Sequence, residues 1–485
     1  MKLKSILKLL SLLLVIISIF LISCAASSAW FREGDKVLLS FLIPAGACVV
    51  FCAFVFWLAP GNERPYFSTK SGYLFVSLAW VSASLVGCLP FILSGAIPSF
   101  TDAYFETMSG FTTTGASILP DVEIIPRSIL LWRSMTHWLG GMGIVVLTVA
   151  IFPLLGLGGL QLVEAEAPGP SVDKITPRMA GTAKIFWLIY IILTVAEVAL
   201  LRLGGLGLFD AVTHTFGTVA TGGFSTWNQS VGHFNSPYAE VVITAFMVLA
   251  GMNFSLFFKL SKGKLRDVAK DSELRAYLFV FLSAAVAIAV DLMRNGVSTG
   301  FGEAFRYGAF QSASILTTTG YATTNFDLWP PFSRVVLFVL MFIGGCSGST
   351  AGGMKVQRYL VLLKQSVVEL KNLVFPRGVF TVRVNGEPVR NMLVFDTASF
   401  FFMYFITAIV CTLVVASAGN GLETSLTAVL ATLGNIGPGL GRVGPAGNFG
   451  FLPDYATWTL SFAMLAGRLE LYTVFVLFSS AYRRA

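Results

Sequence analysis

Apolar residues recur along this chain in runs as long as a bilayer-crossing helix, which needs roughly 20 residues. The pattern predicts membrane spans near 6–28, 38–59, 73–95, 130–155, 183–203, 238–258, 276–293, 335–354, 392–417 and 456–481. The runs cover the whole length, so no soluble domain of useful size remains between them. Leu21-Ile22-Ser23-Cys24 follows a basic start and an apolar stretch, as a bacterial lipoprotein cleavage box does. Because many further spans follow, the first run is read as an uncleaved helix.

Four connections on one side of these spans are not simple loops. Each holds a mildly apolar segment too short to cross, followed by a turn rich in threonine or glycine, and such segments read as re-entrant. They are FTDAYFETMSGFTTTGAS (100–117), LFDAVTHTFGTVATGGFS (208–225), FGEAFRYGAFQSASILTTTGYATTNFD (301–327) and GLETSLTAVLATLGNIGPGLG (421–441). Aligning Gly115, Gly222, Gly320 and Gly437 gives intervals of 107, 98 and 117 residues, each holding one short segment and two full spans. The expected fold is an all-α polytopic membrane protein with four pseudo-symmetric helix–pore-helix–helix repeats around a central pore, preceded by two extra transmembrane helices. The units are placed at 71–165, 166–262, 263–375 and 376–485, behind a helix pair in 1–70. An acidic residue opens each half-helix (Asp102, Asp210, Glu303, Glu423), where a carboxylate caps free N–H groups and suits the positive end of the helix dipole.

Composition agrees with this pattern. Hydrophobic residues make up 55% of the 485 and charged ones 12%, against about 25% charged in soluble domains; the mean hydropathy is +0.78. The net charge of +8 does not indicate nucleic acid, because 23 of the 33 Lys and Arg fall in segments on one side of the predicted spans. That is the positive-inside bias, and it places both termini in the cytoplasm. The six cysteines (Cys24, Cys48, Cys52, Cys88, Cys346, Cys411) lie in or beside apolar segments with no metal or disulfide spacing, and read as small apolar fillers. The three histidines are scattered, with no nucleophile–base pair, so an intramembrane enzyme is not expected.

Extended turns at membrane depth are tolerated only where protein or a water-filled cavity shields them. If four such turns converge on one axis, their carbonyls can replace the water shell of an ion. Each glycine opens dihedrals closed to other residues and permits close approach. The C-terminal ends of the half-helices then favour a cation in the cavity below. The turns carry no ring of Asp or Glu and none of Lys or Arg, while Thr112–Thr114, Thr221 and Thr317–Thr319 supply hydroxyls and stiff backbone.

The strings TTTGAS, ATGGFS, TTTGYATTNFD and GNIGPGLG resemble the four filters of the Trk/Ktr/HKT superfamily of potassium transporters, specifically the bacterial TrkH-type subunit. The likeness extends through WLGGMGIVVL (138–147), GMNFSLFF (251–258), GGCSGSTAGGMKVQR (344–358) and GRLELYT (467–473). The resemblance implies potassium uptake across the inner membrane, a homodimer with one pore per subunit, and a cytosolic TrkA-type nucleotide-binding ring that regulates opening. It also implies K⁺ as the transported ion and no organic cofactor in this chain, with ATP/ADP or NAD(H) bound only by the regulatory partner. Carried over residue by residue, the filter is Thr113, Thr114 and Gly115; Ala220, Thr221 and Gly222; Thr318, Thr319 and Gly320; and Asn435, Ile436 and Gly437. Glycine in all four units goes with potassium preference in that superfamily.

The run Gly344-Gly345-Cys346-Ser347-Gly348-Ser349-Thr350-Ala351-Gly352-Gly353 is too rich in glycine and small polar residues to stay helical at low cost. It is expected to open into a loop that occludes the cavity, the gating loop of the resembling family; close packing between helices is the alternative. Arg468, placed in the middle of the last apolar span, is the second gate candidate, since a charge there is costly and by default functional. It either faces the pore and contacts that loop or pairs with Glu470. Basic segments 259–275 and 355–390 suit anionic lipid and a docking regulator, and alternation around Asn385-Gly386 suggests a short hairpin. Proton- or sodium-coupled symport is the alternative mode of transport.

Overall fold

The computed structural model describes residues 3–58, 69–143, 179–480 and 482. Among them, six helices are long and apolar enough to cross a membrane: Lys4–Phe31, Asp35–Leu58, Lys70–Ser94, Gly181–Leu203, Ser272–Arg294 and Asn391–Ala416. Two further helix pairs are apolar enough when taken together but are sharply bent, Pro237–Ala250 with Phe254–Ser261 at 94° and Asp454–Arg468 with Tyr472–Phe478 at 110°. Side chains such as Phe395, Phe402, Ile409 and Leu413 are exposed along one helix, a surface that a soluble monomer does not present. Such a surface suits the lipid tails of a bilayer, as in an integral membrane protein.

The four half-helices are Phe100–Phe111, Leu208–Val219, Phe301–Leu316 and Leu422–Leu433. Three of them have 12 residues and rise about 18 Å, and the third has 16 and rises about 24 Å, all short of a core of roughly 30 Å. Each lies against the outer and inner helices of its own unit. The second and third also touch the inner helix of the unit before, and the first touches Asp454–Arg468 of the fourth unit, so the arrangement closes on itself. The first two helices pack along each other, and Leu3–Phe31 also lies against Thr69–Gly87 and Arg127–Gly141.

Several elements differ from the pattern-based expectation. The predicted span 238–258 is broken after Ala250. Asn253 caps the second piece, its side chain accepting from the Ser255 N–H at 2.8 Å, and the freed carbonyls of Ala250 and Gly251 bond to residues 350 and 346. In the span 335–354, the helix Pro331–Leu340 stops early and the loop continues to Lys355, where the helix Val356–Val374 begins. The last span, 456–481, breaks behind Arg468, where Glu470 and Leu471 take φ of +52° and +58°. Arg468 therefore ends a helix rather than sitting in the middle of one. The residues at the half-helix cap positions are Ser99, Gly207, Gly300 and Gly421, of which Ser99 alone caps with its side chain; the four acids sit two or three residues further in, where Asp210 accepts from Thr226 and Trp227. The span 130–155 is seen as Arg127–Gly141, and its remainder, with the boundary between the first two units, lies outside the described residues. The hairpin is present, pairing Val384 with Glu387 around Asn385 and Gly386, both with positive φ.

Candidate functional site

Each half-helix leaves by the same backbone path. A cap residue (Thr112, Ala220, Thr317, Gly434) is followed by a left-handed one: Thr113 at φ +53°, Thr221 at +55°, Thr318 at +58° and Asn435 at +53°. The next N–H then bonds back into the helix, Thr114 to Ser109 at 2.9 Å, Gly222 to Gly217 at 2.7 Å, Thr319 to Ser314 at 2.8 Å and Ile436 to Ala431 at 2.7 Å. A glycine with positive φ closes each path: Gly115 at +81°, Gly223 at +79°, Gly320 at +83° and Gly437 at +100°. The structural register therefore pairs Gly223, not Gly222, with the other three, and shifts the second triplet from Ala220–Gly222 to Thr221–Gly223. Gly222 is small for another reason: a Cβ there would run into the ring of His137.

The four turns meet in a ring. A Cβ on Gly115 would collide with the Gly222 carbonyl oxygen, one on Gly223 with that of Thr319, and one on Gly320 with that of Ile436. A Cβ on Gly437 would lie 2.7 Å from the Thr114 oxygen, which completes the circle. The threonines, Asn435 and Ile436 in these turns are fully or almost fully buried, as backbone of this kind at membrane depth requires. Hydroxyls pair behind the turns, Thr112 with Thr114 at 2.8 Å and Thr317 with Thr319 at 2.7 Å.

On one side of the ring lies an open cavity of about 160 Å³, lined by Gly115, Gly223, Gly320 and Gly437 among others. Its rim joins units one and two through Asn228, whose amide donates to Asp121 at 2.7 Å and accepts from the Val122 N–H at 2.9 Å. That amide, with the Glu123 N–H, holds the Asp121 carboxyl below its ordinary range.

On the other side lies the loop that includes Gly345, Cys346, Ser347, Gly348, Ser349, Thr350, Ala351, Gly352 and Gly353. Gly352 N–H donates to the Thr318 hydroxyl at 2.7 Å. The Thr350 hydroxyl reaches the Val219 and Ala250 carbonyls, each at 3.1 Å, and a Cβ on Gly352 would lie 2.7 Å from the Gly434 oxygen. Cys346 N–H donates to Gly251 at 2.9 Å, and Gly348 accepts from Phe254 at 3.0 Å. Arg468 fastens this loop to the first unit, donating to Thr350 at 2.9 Å, Gly140 at 2.7 Å and Gly141 at 2.9 Å. Loop and arginine together touch all four units. Glu470 pairs with Arg358, whose guanidinium lies 3.7 Å over Phe400; this partner was not legible in the sequence, because 112 residues separate the two.

The chain matches the TrkH family, described as a cation transport protein, over residues 46–483. A Trk system potassium uptake protein TrkH from Vibrio parahaemolyticus is 39% identical over 492 residues, covering 100% of both chains. The Escherichia coli K12 protein of the same name is 40% identical over 431 residues, covering 88% of this chain and 89% of its own length. The crystal structure of the potassium transporter TrkH from Vibrio parahaemolyticus superposes with a TM-score of 0.88 at 37% identity, covering 99% of this chain and 100% of that one. With family match, full-length relatives and fold in agreement, this chain belongs to the TrkH family of cation transport proteins.

Proposed function

We propose that the chain takes up potassium across the bacterial inner membrane through the ring of four turns, with both termini in the cytoplasm. The observation that carries this reading is the circular contact of Thr114, Gly222, Thr319 and Ile436 carbonyls with the glycine of the adjoining unit. Such a ring offers oxygens to a dehydrated cation without fixed negative side chains, as carbonyl filters do. In this reading the ion is held by the backbone of Thr113–Gly115, Thr221–Gly223, Thr318–Gly320 and Asn435–Gly437. K⁺ is cargo, and the bond made and broken is coordination alone.

The loop 345–353 with Arg468 is the gate. Its position against Val219, Thr318 and Gly434 supports this role, since a body seated there lies across the path below the turns. The guanidinium adds a positive charge where a cation would pass, and charge at such a point raises the barrier. Opening requires the loop to release backbone bonds to Ala250 and Gly251, each modest in net worth. The units 71–165, 166–262, 263–375 and 376–485 act as one pore per subunit of a homodimer, and the amphipathic helix Val356–Val374 with the hairpin offers a basic face to a nucleotide-binding regulator. The relatives' naming as parts of a Trk system supports association with other components.

Growth of a potassium-uptake-deficient bacterium at low potassium tests the function. Expression of this chain with its regulatory partner is expected to restore growth. Equal growth with an empty vector would contradict it.

A further inference from the structure

The register set by the left-handed residues aligns more than the turns. Seven residues before each stands Glu106, His214, Gln311 or Ala428. In the first three units this position grips the outgoing limb of its own turn. Glu106 accepts from the Ser117 hydroxyl and the Ile118 N–H, both at 2.9 Å. His214 Nε2 meets the Ser225 hydroxyl at 2.9 Å while Nδ1 faces the Asp210 carbonyl. Gln311 donates more weakly to the Tyr321 carbonyl at 3.4 Å. In the fourth unit the neighbouring Thr427 takes over, accepting from the Leu440 N–H at 3.0 Å.

The first of these clamps alone carries an ion pair among the described residues. Arg133 Nε lies 2.6 Å from Glu106, with side-chain exposures of 4% and 0%. The same guanidinium donates to the Ser225 carbonyl at 3.0 Å and covers the Phe224 ring at 3.5 Å. The pair thus ties the outgoing limb of the first turn to that of the second. Burying two charges gains little net stability, since desolvation offsets the attraction. A fully bonded buried pair does fix geometry, because every alternative arrangement leaves a charge without partners.

We propose that Glu106 and Arg133 are positioning residues for ion selection: they set the spacing of the first and second turns' carbonyls and so help to decide which cation fits. This rests on the carbonyl-filter reading above. Removing both charges together avoids leaving one buried and alone, so the double variant Glu106→Gln/Arg133→Met is the informative one.

The test is potassium against sodium flux in proteoliposomes, with the parent chain, the double variant, and Glu240→Gln/Arg306→Met as a matched removal of an ion pair elsewhere in the bundle. Loosening carbonyls held at close tolerance is expected to lower discrimination roughly tenfold in the Glu106/Arg133 variant, with the control within about twofold of the parent. A folded double variant that discriminates as the parent does would overturn the proposal. Should that variant not reach the membrane, Ser117→Ala decides: cutting one bond to Glu106 is expected to lower discrimination about threefold, and no change overturns the proposal. Absence of potassium flux in the parent would defeat the transport reading and this inference with it, whereas intact selectivity in the variants defeats the inference alone.

Discussion

Replacing Gly223 by Ala asks whether the ring of turns is held in the register described above. Gly223 sits at φ +79°, where an L-residue costs roughly 1–2 kcal/mol. Its new methyl would collide with the Thr319 carbonyl oxygen and stand 3.0 Å from that carbonyl carbon and 3.2 Å from Gly320 C. Either the second turn rotates or the Thr319 oxygen swings away from its place in the ring. If this removes about 1–2 kcal/mol of the difference between two cations, discrimination falls about 5–30-fold. Flux measured in proteoliposomes under opposed potassium and sodium gradients reads that ratio directly. Gly222→Ala serves as the internal comparison, because its methyl meets the His137 ring rather than a carbonyl of another unit. Adding His137→Ala makes room there, so that pair is expected to recover selectivity while Gly223→Ala with the same partner is not. A folded Gly223→Ala protein with unaltered discrimination would refute the reasoning, as would recovery of both pairs alike.

Gly320→Ser places a side chain against the Ile436 oxygen and 2.8 Å from Pro438 Cδ, and is expected to raise sodium permeation relative to potassium in the same flux assay. Excising 346–352 is expected to leave the pore leaky without disturbing the bundle, because Gly344 N–H already bonds Met354 at 2.8 Å and the loop's ends lie together; a tightly closed protein would argue against a gate. Arg468→Met deletes three bonds to carbonyls, each worth about 1.5–3 kcal/mol when the donor is charged, so basal flux without the regulator should rise about tenfold or more. Glu470→Gln leaves Arg358 buried beside a neutral partner, a loss of about 3–5 kcal/mol by analogy with other broken buried pairs, read as a lower unfolding temperature of the purified protein.

Much of this architecture was legible because the signals are local. Span length, the short half-helices and the TTTG strings each depend on contiguous residues, and the Asn385-Gly386 hairpin needs only its own turn chemistry. The register of the second turn was not, because ATGG offers two adjacent glycines and their separate reasons, the His137 ring and the Thr319 carbonyl, come from distant parts of the chain. The break after Ala250 was hidden in the same way: GMNF reads as apolar helix, and its free carbonyls are satisfied by residues 346 and 350, about 100 positions on in sequence. Arg468 looked central to an apolar run because hydropathy does not register the left-handed pair Glu470 and Leu471 that ends its helix. The acids of the half-helices suggested caps, but Ser99 takes that role in the first, and glycines with no side-chain bond stand at the cap positions of the others. Glu106 and Arg133 gave no pattern at all, since their 27-residue separation acquires meaning only once the first turn is folded.

The central claim is that main-chain oxygens of four related turns take the place of water around the transported ion. A crystal of the protein grown in rubidium, with anomalous scattering measured at the rubidium edge, tests it most directly. The account predicts a peak on the axis of the ring, within coordination distance of the Thr114, Gly222, Thr319 and Ile436 oxygens. A peak bound instead by side-chain carboxylates away from that axis, with the ring vacant, would contradict it.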